Sequence, residues 1–189
     1  NNIILRLLSV APPGRVQFTI LDPVELGQSF AGLMHLTDFE ERLISSRIWT
    51  QPAQIEEQLA RLNEHIEKVT QMYLRNEYAT LAEYNAQAGR IAEKYHFLVV
   101  ADFPVNFSEL AAKRLLSIAA SGARCGVYTL IHWDQRKPAP TEFVPDELRR
   151  HSLCLTAQGP AFTLAGAGLD GVTLHLDSPP DADRATEFL

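Results

Sequence analysis

Two apolar runs decide the fold: Tyr95-His96-Phe97-Leu98-Val99-Val100-Ala101-Asp102-Phe103, and then Gly126-Val127-Tyr128-Thr129-Leu130-Ile131-His132-Trp133-Asp134. Uninterrupted apolar runs of this length suit strands buried on both faces of a parallel sheet. Between them, Phe107 to Ser121 has helical spacing, with Leu110, Leu115 and Ile118 expected inward and Ser108 or Asn106 as the cap. A strand, a helix and a second strand in that order predict a parallel pair. Both runs meet a carboxylate where they end, Asp102 and Asp134. The carboxyl ends of strands are where open α/β sheets bind their ligands.

Working outward, a third apolar run, Val16-Gln17-Phe18-Thr19-Ile20-Leu21, ends at Asp22-Pro23. Proline forces Asp22 out of helical geometry, so Asp22 reads either as a site acid or as a turn-capping one. A helix over Ile3–Leu8 precedes this strand and stops at Ala11-Pro12-Pro13-Gly14. Arg47-Ile48-Trp49-Thr50 is short and β-prone, and Thr50 is expected to cap the long helix that follows. In that helix Ile55, Leu59, Leu62, Ile66, Val69 and Tyr73 form one apolar stripe, with Glu56, Glu57, Glu64, Glu67 and Lys68 on other faces. The stripe fits a heptad partner or the chain's own sheet. Three heptads are short for a coiled coil, which favours the sheet. Leu81 to Ala86 reads as a short helix interrupted by Gly89. Downstream, Gln135 to Thr141 is a Pro-rich loop and Pro145 to Arg150 one helical turn. Leu153–Leu155, Phe162–Leu164 and Val172–Leu176 are late strands, expected as an antiparallel edge. Pro179-Pro180 and an acidic helix, Asp183 to Leu189, close the chain. The fold class expected is α/β, with a mostly parallel sheet flanked by helices and a short β-rich C-terminal appendage.

The chain has 189 residues, 46% hydrophobic and 21% charged, which is ordinary for one globular domain. Its net charge of -6 argues against a protein that grips nucleic acid over its whole surface. Cys125 and Cys154 lie in or beside apolar runs and read as reduced core thiols, which fits a cytoplasmic location. No apolar run has the length to span a membrane, and there is no signal peptide. The six histidines lack metal-ligand spacing. The first and last residues fall inside apparent helices, which reads as a piece cut from a longer protein.

Taken together, residues 1 to 140 resemble the motor domain of FtsK/SpoIIIE-type ATPases, a RecA-like P-loop fold. The resemblance is an ordered series. Phe18-Thr19-Ile20-Leu21-Asp22-Pro23, then Phe30 and Leu33-Met34-His35-Leu36, looks like the strand-Asp segment after the first ATPase helix. Leu59 to Tyr73, then Thr80-Leu81-Ala82-Glu83-Tyr84-Asn85, is similar to the long helix and its following Tyr-Asn. Phe97 to Phe103 looks like the Walker B strand, whose usual ending is Asp-Glu-Phe. Gly122 to Ile131 looks like the strand leading to the sensor residue.

The departures bear on activity. No Gly-x-x-x-x-Gly-Lys-Ser/Thr loop occurs, the element that cradles phosphates. Aligning Phe103 puts Asp102 on the catalytic Glu and Ala101 on the Mg²⁺-associated Asp. A one-residue slip puts Asp102 on the metal acid and Phe103 on the catalytic one. Either way one acid is lost, and the usual phosphoryl transfer should fail. Asp134 lines up best with the sensor position. The resemblance therefore implies a degenerate ATPase-like domain: 1–140 as the core, 141–189 as a small β-containing extension. ATP and Mg²⁺ are the family's ligands, and neither is expected to bind this chain tightly. Asp102 is the remnant acid, Asp22 and Asp134 the weaker nucleotide-site candidates. Arg136 and Lys137 are the candidates for double-stranded DNA, with Arg149-Arg150-His151 as a second basic cluster. The implied partners are other ATPase domains or subunits, with no direct membrane contact. The alternative is the truncated motor domain of an active ATP-driven DNA translocase.

Overall fold

In the computed structural model the described residues are 2–178 without 39, 41, 42, 46, 166, 167 and 170. The expected closing helix and Pro179-Pro180 lie outside them. A three-stranded parallel sheet is built from β1 (Val16–Leu21), β2 (Tyr95–Phe103) and β3 (Val127–Trp133), in that spatial order. The strands start and stop where the apolar runs do. Between Leu43 and Trp49 the chain runs along the outer side of β1: Phe18 N–H donates to the Leu43 carbonyl at 2.7 Å and Trp49 N–H to the Ile20 carbonyl at 2.9 Å.

Helices cover both faces, because side chains alternate across each strand. On one face α1 (Asn2–Val10) and 3-10 turns over Gln28–Asp38 pack Ile4, Leu5, Leu33 and Leu36 onto Val16, Phe18, Ile20 and Val99. On the other, α2 (Pro52–Lys68) and α4 (Glu109–Ser121) bury Leu59, Leu62, Ala111 and Leu115 against Leu98, Val100 and Val127. The apolar stripe of α2 is thus spent on the chain's own core. A π-helical turn, Val69–Leu74, extends α2 and buries Val69 and Leu74. The short α3 (Leu81–Ala88) is capped by Thr80, whose hydroxyl accepts the Glu83 N–H.

Three local expectations are corrected. Thr50 does not cap α2; Gln51 holds that position and makes no side-chain cap bond. Pro52 opens the helix one residue later than the Thr signal implied, and the Thr50 carbonyl accepts Asn106 Nδ2 at 3.0 Å. Ser108, not Asn106, caps α4. Leu110 is 45% exposed, because the inward face of α4 is Ala111, Ala112, Leu115 and Ile118, a turn's rotation away.

The late strands β4 (Cys154–Gln158), β5 (Ala161–Ala165) and β6 (Val172–Leu174) do not extend the main sheet. They form their own antiparallel sheet after α5 (Pro145–Arg150), with Gly159 in the left-handed region turning β4 into β5. Phe143 and Leu148 reach back into the core beside Phe103. Both cysteines are free thiols; Cys125 is buried and Cys154 half-buried.

Candidate functional site

Parallel strands place their carboxyl ends together, so Asp22, Asp102 and Asp134 all gather at one end of the sheet. Each acid is engaged locally. Asp22 follows β1, is fully buried, and accepts the N–H groups of Glu25 at 3.1 Å and Gly27 at 3.0 Å. That is the turn-capping geometry its Pro23 neighbour favours.

Asp102 is placed by an irregularity. Val100 pairs with Ile131 and Phe103 with Trp133, so Ala101 and Asp102 together oppose His132 alone. A bulge of this kind bends the strand and re-aims a side chain. Asp102 takes a φ of 54°, unusual for a residue with a Cβ. Its Oδ1 lies 3.1 Å from His132 Nδ1, and the imidazole is largely exposed. Ala101, beside it, presents only a methyl group.

Asp134 closes the end of β3. Its N–H donates to the Phe103 carbonyl at 2.9 Å. Its carboxylate accepts Arg136 Nε at 2.7 Å, Nη2 at 3.1 Å and the Arg136 backbone N–H at 3.1 Å. These charge-assisted bonds hold the Asp134 carboxyl down at about 2. Arg136 is correspondingly drawn up by the same carboxylate. Lys137 is exposed and, among the described residues, has no ion pair. The second basic cluster reaches the same end: Arg149 stacks over the Trp133 ring at 5.4 Å while pairing with Asp146 at 3.0 Å. Trp133 packs edge-on against Phe103 and Phe143, with its indole N–H buried and unpartnered.

His132 was not among the sequence candidates, although it sits beside Trp133; only the bulge brings it to Asp102. Sequence order also gave no sign of a second imidazole cluster at the opposite end of the sheet. There His65 of α2 stacks on His96 of β2, ring centroids 4.2 Å apart. Burial, then the neighbouring His65, pushes His96 down to about 4, and burial lowers His65 too, while Glu93 opposes both shifts. His65 Nε2 is buried without a partner.

No known family profile and no curated protein sequence matches the chain. Solved structures do match. The cytoplasmic domain of EssC aligns with 98% of this chain at a TM-score of 0.68 and 13% identity. EssC ATPases 2 and 3 from Geobacillus thermodenitrificans align with 98% at 0.70 and 13%. The pCW3 conjugation coupling protein TcpA, solved as a monomer with ATPγS, aligns with 92% at 0.63 and 15%. The chain spans 40%, 39% and 54% of those three chains. Its parallel sheet, flanked on both faces by helices, is the RecA-like fold of FtsK/SpoIIIE-type P-loop ATPase domains.

Proposed function

We propose that this chain is a degenerate, catalytically inactive ATPase-like domain of a larger FtsK/SpoIIIE-type protein, serving as an assembly or regulatory module. One observation carries the reading: every acid at the carboxyl end of the sheet is engaged by its own surroundings. Asp22 holds a turn, Asp134 holds Arg136, and Asp102 faces His132. Phosphoryl transfer by this fold needs carboxylates free to hold Mg²⁺ and to orient the nucleophile. Ala101 offers neither oxygen, and no lysine-bearing phosphate loop stands in these 189 residues. The residues present do not fit Mg²⁺-ATP, so no catalytic step is derived through it.

The partners proposed are other ATPase domains. A structure named for ATPases 2 and 3 puts two such domains in one chain, and this chain matches 39% of it. An equal share for each domain would be half, so each holds more chain than is matched here. Double-stranded DNA is a weaker proposal. Arg136 is already bound to Asp134, which leaves Lys137 and Arg150 as the cations of that end with no ion pair among the described residues.

The alternative, the motor domain of an active DNA translocase, draws support from the TcpA structure, which holds ATPγS on a similar fold. Titration calorimetry with Mg²⁺-ATP separates the two, run on this chain, on its Ala101→Asp variant and on a form extended at its amino end into a longer parent. No heat of binding in any of the three supports the degenerate domain. Binding by the extended form alone revives the motor.

A further inference from the structure

The two edges of the sheet are finished differently. Residues 43–49 run along β1, but no strand pairs with the outer side of β3 among the described residues. The phase of the ladder identifies the groups this leaves bare. His96 N–H donates to the Gly126 carbonyl at 2.8 Å. In a parallel pair, residues bonded to the neighbour alternate with residues whose backbone faces away. Tyr128 and Leu130 therefore turn their backbone groups toward β2, and Val127, Thr129 and Ile131 turn theirs outward. The Val127 N–H is taken by the Gly122 carbonyl at 2.9 Å. What remains is the Val127 carbonyl and both groups of Thr129 and Ile131, in line and without a strand partner.

Nothing blunts this edge. Val127 to Ile131 contains no charge and no proline, the usual means by which exposed edges avoid pairing. Its side chains are half covered: Tyr128 is 38% exposed, and Thr129, Leu130 and Ile131 are intermediate. In β2, by contrast, Leu98 and Val100 are almost fully buried. Parallel strands are normally covered on both faces. β3 has the composition of an inner strand and the surroundings of an edge.

We propose that the outer edge of β3 receives a further β-strand, supplied by a segment of the parent polypeptide outside these 189 residues. The matched structures favour that source over a second copy, since each carries chain beyond the part this fold accounts for. An extended segment of about seven residues covers β3 from end to end, the backbone supplying affinity and alternate side chains specificity. The proposal is independent of whether the nucleotide site is degenerate.

Hydrogen exchange tests it, comparing this chain alone with the same residues inside the longer parent protein. The amides of Thr129 and Ile131 should exchange fast in the isolated chain and at least about tenfold slower in the parent. The inward amides of Tyr128 and Leu130 should be protected in both. Thr129→Pro removes an outward donor and no bond to β2, so it should abolish protection at Ile131 in the parent while the fold persists. Fast exchange at Thr129 and Ile131 in both proteins overturns the proposal. So does slow exchange in the isolated chain, whether it is a monomer by light scattering or a dimer paired with its own copy.

Discussion

A histidine pair at the amino end of the sheet shows how a single residue couples this fold to pH. His96 is held near 4 by burial and by His65, against an ordinary value of 6.5. A group whose folded value is depressed stabilises the protein above its unfolded value and loses that contribution as pH falls toward the folded one. Stability should therefore drop as pH falls from 6.5 toward 4. The His96 share is about 3 kcal/mol at most, taking 1.36 kcal/mol per unit. Glu93 sits beside the pair, as do Lys68, Lys94 and Tyr73. Its own lowered carboxyl begins to matter only below its ordinary 4.5, so the window above that belongs to the histidines. Urea unfolding at half-unit steps from pH 8 to 4 reads the slope. His96→Phe keeps a ring against His65 and should flatten the curve. An unchanged slope in that variant would put the proton uptake elsewhere. The acids were legible one by one, because an acid after an apolar run is a local signal. Their partners were not: the Asp102–His132 contact needs the bulge, and the His65–His96 stack joins residues far apart in sequence.

At the scale of elements, the sequence carries most where local pattern and tertiary burial agree. The three apolar runs became the three parallel strands, and the α2 stripe became the floor of the main core. It carries less at helix starts, where several cap residues compete within two positions. Thr50 had the chemistry, but Pro52 fixes where the helix begins and leaves Gln51 as a cap without a side-chain bond. Gln51 has a φ of -90° and a ψ of 144°, the extended geometry from which a short side-chain oxygen reaches the first-turn amides. Gln51→Ser should accordingly stabilise the protein by about 1 kcal/mol, raising the urea midpoint without altering the slope. A lower midpoint would mean that the Gln51 side chain supports α2 in some other way. The late strands were legible as strands, but not as a separate sheet. Alternating apolar residues say which face a strand buries and not which strand it pairs with.

Across the whole molecule, the core is gathered around the parallel sheet, and the antiparallel β4–β6 sheet stands outside both of its apolar clusters. Leu164 is the only residue of those strands in the buried class, and its cross-strand neighbours Leu155 and Val172 are themselves 44% and 40% exposed. The tail returns to the first helix by Arg6 with Asp177 at 2.5 Å and by Asn2 donating to the Asp177 and Ser178 carbonyls. That ion pair is more than two-thirds exposed on each side, and exposed pairs contribute little. Phe143 and Leu148, by contrast, are core residues, so the parallel-sheet unit extends through α5. A chain ending at Ser152 should then unfold cooperatively, within about 1 kcal/mol of the full chain. Its urea slope should fall only in proportion to the surface removed. A loss above about 3 kcal/mol, or a broad non-cooperative transition, would show that β4–β6 is a structural part of the core. Retained stability would free that sheet, with Leu153, Leu155 and Leu176 exposed on it or beside it, to act in contacts beyond the chain rather than in holding it together.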